Sequence, residues 1–193
     1  MTAVNAGVLD TLAAESRRRQ NMNGCHGYEH TERVIELCRR LGESMGADME
    51  VLMPAAILHD IAREEPDHAE RGAVEAAKML EEAGYSREKI PLIHDAIRVH
   101  SFSYGKKAST LEAMILSDAD KLDAMGAIGV YRTAMYSGEL MRPQEDFVAH
   151  FHEKLLTLKD LLYTEEAMKL AEGRHRYMQA YLEEFMRELK AEA

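Results

Sequence analysis

Pro54-Ala55-Ala56-Ile57-Leu58-His59-Asp60-Ile61-Ala62 places an imidazole and a carboxylate in a run that otherwise reads as core. A buried carboxylate costs several kcal/mol unless it is paired or bound to a cation, so this stretch calls for positive charge beside Asp60. Two further helical stretches raise the same question. His30 shares a face with Val34, Leu37 and Leu41, at offsets of four, seven and eleven. Asp120 shares one with Ala113, Leu116, Ala124 and Ala127, small and apolar neighbours that let a carboxylate approach a buried centre. His30, His59, Asp60 and Asp120 together read as a metal-ligand set.

Around these stretches apolar residues recur at three and four, Ala, Leu, Met, Glu, Lys and Arg dominate, and no alternating Val/Ile/Thr run occurs. The chain therefore reads as all-α, with about eight helices. The pattern predicts helical spans near 3–19, 28–44, 49–64, 68–83, 87–100, 109–124, 127–137, 144–162 and 164–190, punctuated by Gly42, Gly46, Gly84, Gly105 and Gly138. Pro54 requires the third span to bend or to begin near Met53. The last span keeps an apolar stripe through Met168, Ala171, His175, Met178, Leu182, Phe185 and Leu189, read as packing on the body or on a second copy of the chain.

A chain of 193 residues, 46% hydrophobic and 30% charged with four prolines, suits one domain that buries roughly 70% of its unfolded surface. We expect residues 1–193 to form that single domain, with a core at about 22–136 and C-terminal helices at about 144–190 packing on it. The longest apolar run, Val51 to Leu58, falls far short of the roughly 20 residues of a membrane span. No signal-peptide pattern precedes it, so the expected location is cytoplasmic, without a membrane partner. Cys25 and Cys38 read as free thiols. A net charge of −10 argues against a nucleic-acid polymer, which needs clustered Lys and Arg, but leaves room for a small phosphorylated substrate held by a metal and a few local cations.

The chain has a second His-Asp pair, His94-Asp95, which falls on a polar face beside Arg98 and reads as solvated. Asp118 and Asp123 flank Asp120 and read either as groups that orient a ligand or as a solvated acidic turn. Two imidazoles and two carboxylates suit a divalent ion such as Mn, Mg, Fe or Co with water in its remaining positions, and Zn also accepts such ligands. Arg33, Arg63 and Lys121 lie beside the ligands in sequence and are candidates to take up phosphoryl charge. His100, ahead of Ser101-Phe102-Ser103-Tyr104, reads as a pocket wall or phosphate donor, His26 as a residue near a close backbone approach at Gly27, and His68 as a helix-start residue.

With these residues in place, the sequence resembles the HD-domain superfamily of metal-dependent phosphohydrolases, whose pattern is a His, a His-Asp doublet and a distant Asp. Cys25 to Val34, Leu58 to Glu64, His100-Ser101-Phe102-Ser103 and Asp118 to Gly129 look like a bacterial and archaeal branch of predicted HD hydrolases that includes nucleotide pyrophosphohydrolases. The likeness covers about residues 22–190. It implies a helical HD-domain bundle with His30, His59, Asp60 and Asp120 as metal ligands between helices. It also suggests hydrolysis of a nucleoside triphosphate to monophosphate and pyrophosphate by metal-activated water; for that reaction the residues' own positions offer Arg33, Glu64 and Lys121 for catalytic roles and His26, Arg63 and His100 for contact with the substrate. One departure is that several family phosphatases carry Glu three residues after the doublet's Asp, where this chain has Arg63, leaving Glu64 as the candidate base. A nucleoside 5'-monophosphatase would need the same metal. Two-iron oxygenases of HD type need a second ligand set, which the leftover histidines do not obviously form. Cyclic-dinucleotide phosphodiesterases of the HD-GYP kind need a Gly-Tyr-Pro motif, and Gly27-Tyr28 is followed by Glu29. A binding module with a decayed site sits poorly with an intact ligand set. Met168, Met178 and Met186 offer a stripe that a homodimer could use.

Overall fold

The computed structural model describes residues 3–20, 27–101 and 107–192, the first four of these by backbone only. Among them are nine α-helices, one 3-10 helix and no strand, so the all-α expectation holds. The chain forms two compact units, Met1–Asp120 and Lys121–Ala193, whose boundary falls inside one helix.

In the first unit, α1 (Ala3–Arg19), α2 (Tyr28–Met45), α3 (Met49–Leu58), α4 (His68–Glu82) and α5 (Ile90–Val99) precede the start of α6 (Leu111–Asp123). The centre is α3, which packs against α1, α2 and α5. Every residue from Val51 to Leu58 is buried, as expected of a helix that is apolar all round. Asp48 caps it by accepting from the Glu50 amide. Gly46, at φ 70°, ends α2 in the left-handed conformation that glycine adopts without penalty. The two helices approach so closely that a Cβ on Gly42 would lie 2.5 Å from Leu52 Cδ2.

Pro54 sits inside α3 rather than at its start. Its missing N–H would leave the Glu50 carbonyl without a helical donor. The Tyr85 hydroxyl donates to that oxygen at 2.7 Å, so the helix tolerates the proline through a tertiary bond. Tyr85→Phe should cost about 1 kcal/mol, the net contribution of a part-buried hydrogen bond. In a Pro54→Ala background, where an amide can serve Glu50, the same change should cost less than half as much. Urea denaturation of the four proteins as a double-mutant cycle checks this.

The third span ends earlier than predicted, at Leu58 rather than near 64. Its last carbonyls find other donors. His59 Nδ1 takes the Ala56 oxygen at 2.9 Å, Ser16 Oγ the Ile57 oxygen at 2.7 Å, and the Ile61 amide the Leu58 oxygen. A buried chain of hydrogen bonds runs on from Ser16 through Gln20 to Thr31, tying α1 to α2 beside His30.

The second unit holds the end of α6, α7 (Gly126–Glu139), α8 (Gln144–Glu153) and α9 (Glu165–Leu189). The predicted span at 144–162 is divided. The backbone turns at Lys154 (φ −130°, ψ −61°) and Leu155–Leu161 continues as a 3-10 helix, where the Thr157 hydroxyl and amide both bind the Lys154 carbonyl. Phe147, Phe151, Tyr181 and Phe185 form an aromatic cluster with centroids 5.1 to 6.0 Å apart. Ala171, Met178 and Leu182 of the C-terminal stripe are buried. Met178 is therefore buried within the chain itself.

Candidate metal centre

His30, two residues into α2, and the doublet, just past the end of α3, are held by elements that the Ser16–Gln20–Thr31 chain locks together. The His30 and His59 rings meet edge to face with centroids 5.4 Å apart. His30 Nε2 lies 3.4 Å from His59 Nε2, 3.7 Å from Asp60 Oδ2 and 3.3 Å from Asp120 Oδ1. His59 Nε2 lies 3.8 Å from Asp60 Oδ2. Two donor atoms each about 2.1 Å from one ion stand roughly 3.0 to 3.6 Å apart for angles of 90° to 120°. These spacings suit a shared cation better than strong direct hydrogen bonds.

The protonation states agree. His59 Nδ1 donates to the Ala56 carbonyl, leaving the Nε2 lone pair directed at the centre. Burial pushes this imidazole down to about 4, so it is neutral at pH 7. Burial would raise Asp60, but its neighbours, His59 first and then His100, Arg63 and His30, outweigh it and hold its carboxyl well below the usual range. Asp120 is likewise held low, burial being overcome chiefly by its bond with His30. Asp60 Oδ1 has no hydrogen-bond partner although it is buried. A buried carboxylate calls for positive charge beside it, and the donor set around Oδ2 suits a divalent cation.

A second group of donors adjoins the first. Asp60, His68 and His100 also bring their ligand atoms within 4.8 Å of one another. The His59 and His100 rings are 5.1 Å apart and His68 and His100 5.8 Å. The leftover histidines do form a set with Asp60, which sequence reasoning missed because α4 and α5 bring His68 and His100 from 8 and 40 positions away with no shared periodicity. His68 opens α4 after Asp67, a non-glycine residue in the left-handed conformation.

The other candidates distribute unevenly. Arg33 is half-buried one turn after His30, and Arg63 lies 3.6 Å from Asp60 Oδ1 and 3.2 Å from His68 Nε2. Glu64 is exposed and, with Asp60, Arg63, Arg19 and Gln20, lines a cavity of about 170 Å³. His100 is fully buried, its Nδ1 donating to the Ile97 carbonyl and its own carbonyl accepting from Ser117. Lys121 is buried with its ammonium 5.2 Å over the Tyr163 ring. His26 lies outside the described residues, as does Gly105. Asp118 and Asp123 are buried, which removes the solvated-turn reading, and Asp123 pairs with Arg132 at 2.8 Å. Asp95 is well exposed, so the second His-Asp pair is a surface feature.

The HD domain model matches residues 27–125, slightly more than half the chain. Protein YpgQ of Bacillus subtilis is 32% identical over 173 residues, covering 85% of this chain and 84% of YpgQ. Its crystal structure in complex with ADP superposes with a TM-score of 0.82 at 28% identity, covering 96% of each chain. An HD-superfamily hydrolase from Bacillus thuringiensis gives 0.79 at 31% identity, over 97% of this chain and 99% of that one. Among the described residues no helix is long and apolar enough to cross a membrane. A doublet at the end of a buried helix is thus faced by a histidine and an aspartate in a chain matched along its length, and this protein belongs to the HD-domain family as a metal-dependent phosphohydrolase.

Proposed function

We propose that His30, His59, Asp60 and Asp120 hold one divalent cation and that the enzyme hydrolyses nucleoside triphosphates to monophosphate and pyrophosphate. The buried carboxylate of Asp60, whose Oδ2 lies beside two imidazoles with converging Nε2 atoms, carries the metal assignment. The ADP complex of YpgQ supports a nucleotide substrate. A bound divalent ion supplies Lewis acidity and lowers the pKa of water toward neutrality.

The chain's own residues have distinct tasks in this reading. The Ala56 and Ile97 carbonyls fix the tautomers of His59 and His100. Asp120, whose side chain is about a quarter exposed, marks the side open to solvent, where substrate enters. Arg33 balances phosphate charge, and Glu64 on the cavity rim accepts a proton from the attacking water. His100 lies too deep for direct contact with a nucleotide and acts on the charge around Asp60 instead.

Phosphorus NMR of products formed from nucleoside mono- and triphosphates by metal-stripped protein plus Mn or Mg tests the reading, with Asp60→Ala as control. Pyrophosphate release that needs both metal and Asp60 supports it. Orthophosphate from monophosphates would make the enzyme a nucleotidase, and absence of turnover with every metal would overturn the substrate class.

A further inference from the structure

We propose that Gln20 is a positioning residue for the metal centre, one that acts through Ser16 and Thr31 to hold the His30 and His59 segments at the spacing a shared ion requires. The inference rests on the reading above, in which both histidines bind that ion.

The hydrogen bonds around Gln20 run in one direction only. Ser16 Oγ reaches the Ile57 carbonyl at 2.7 Å, and a carbonyl can only accept, so the single hydroxyl proton of Ser16 is committed there. Toward Gln20, 3.0 Å away, Ser16 can then only accept, which assigns the amide nitrogen Nε2 to that side. Gln20 Oε1 consequently faces Thr31 and accepts from its hydroxyl at 2.7 Å. An amide offers a donor and an acceptor at the tip of one side chain, and both are used. Ser16 and Thr31 are fully buried and Gln20 nearly so. A broken link therefore leaves a buried polar group without its partner.

Both ends of this series stand beside proposed ligands. Thr31 follows His30 in α2, and Ile57 lies in the last turn of α3, two residues before His59. The neighbouring Ala56 carbonyl holds His59 Nδ1. A movement of that turn against α2 would carry the His59 ring away from His30, and their Nε2 atoms now stand 3.4 Å apart. A ligand constellation needs its groups held within about 0.5 Å of the productive geometry. Ser16 is on α1 and Gln20 follows it directly, ahead of the HD-matched residues 27–125. The first helix supplies none of the four proposed ligands, yet through Gln20 it sets the distance between two of them.

Titration of metal-stripped protein with Mn²⁺, read from the paramagnetic resonance signal of the free ion, gives Kd without turnover. Gln20→Leu and Thr31→Val should each raise Kd about tenfold, the lower end of what outer partners of metal ligands contribute. Gln20→Met gives the same comparison should Gln20→Leu fail to fold. Thr31→Ser, which keeps the hydroxyl, should bind as wild type does. Because the links act as one unit, Gln20→Leu combined with Thr31→Val should weaken binding no more than either change alone. Urea unfolding of the metal-free proteins reports stability separately. A Kd unchanged in the Gln20 variants and in Thr31→Val, whatever their loss of metal-free stability, would reduce the series to a fold contact and overturn the inference. Losses that multiply in the double variant would overturn it too. His30→Ala tests the underlying reading by itself: Mn²⁺ affinity that survives this change would count against the ligand set, and so against any positioning of it by Gln20.

Discussion

Asp60→Ala is expected to abolish metal-dependent hydrolysis and metal-dependent stabilisation together. Removing a residue that merely orients a metal ligand costs about 10–100-fold in affinity or activity, so loss of a carboxylate that faces both donor groups should exceed a hundredfold in kcat/KM. The stability readout needs no substrate. With free Mn²⁺ at about 100 times its Kd, binding to the folded state adds about 2.7 kcal/mol. At about 2–4 °C per kcal/mol for a chain of this size, wild-type Tm should rise by roughly 5–10 °C. Asp60→Ala should shift by less than about 1 °C. Differential scanning fluorimetry with and without Mn²⁺ makes the comparison, and a variant that still gained the full shift would remove Asp60 from the ligand set. Because the carboxyl group of Asp60 is held well below the usual range, it is already ionised at pH 7 and no proton need leave it when a cation binds.

Phe151→Ala should act in the opposite way, on stability and not on metal. Phe151 is fully buried and packs against Phe147 at 5.1 Å and Tyr181 at 6.0 Å between ring centroids. Truncating a buried Phe costs about 3–5 kcal/mol in transfer energy and residual cavity, which should lower Tm by roughly 10 °C or more. All four proposed ligands precede residue 121, in the other compact unit. The added stabilisation by Mn²⁺ should therefore stay within about 2 °C of its wild-type size. Guanidinium unfolding measures the first effect and the Mn²⁺-dependent Tm shift the second. Loss of the Mn²⁺ shift in Phe151→Ala would show that the second unit contributes to the metal centre.

The contrast between the two His-Asp pairs shows how much of the centre is legible in the amino-acid order. His59-Asp60 lies among Ala, Ile and Leu, where solvation cannot explain a carboxylate, and it is buried. His94-Asp95 lies on a polar face, and Asp95 is exposed. Burial follows from the helical period, because an apolar stripe must face the core whichever element covers it. The same period identified the faces of His30 and Asp120. It failed at Leu58, where a predicted helix stops early, because the side chains of Ser16 and His59 take up its terminal carbonyls and one of them is distant in sequence. It left two readings open at Asp118 and Asp123, whose burial depends on what packs over them.

Composition and periodicity by themselves determined that the chain is helical, that the run leading to His59-Asp60 reads as core and that Asp60 calls for a cation. Each is a local demand, since apolar spacing dictates which face is buried and a buried charge must be compensated wherever it sits. Only the tertiary structure decided which groups gather round that charge. It set His30 and Asp120 on one oxygen's side and His68, His100 and Arg63 on the other, and it gave the Glu50 carbonyl the hydroxyl of Tyr85 in place of an amide. Apart from those of Arg63, these contacts join residues 8 to 60 positions apart in the sequence. Their formation depends on helix packing and on hydrogen bonds made across it, which no local pattern encodes.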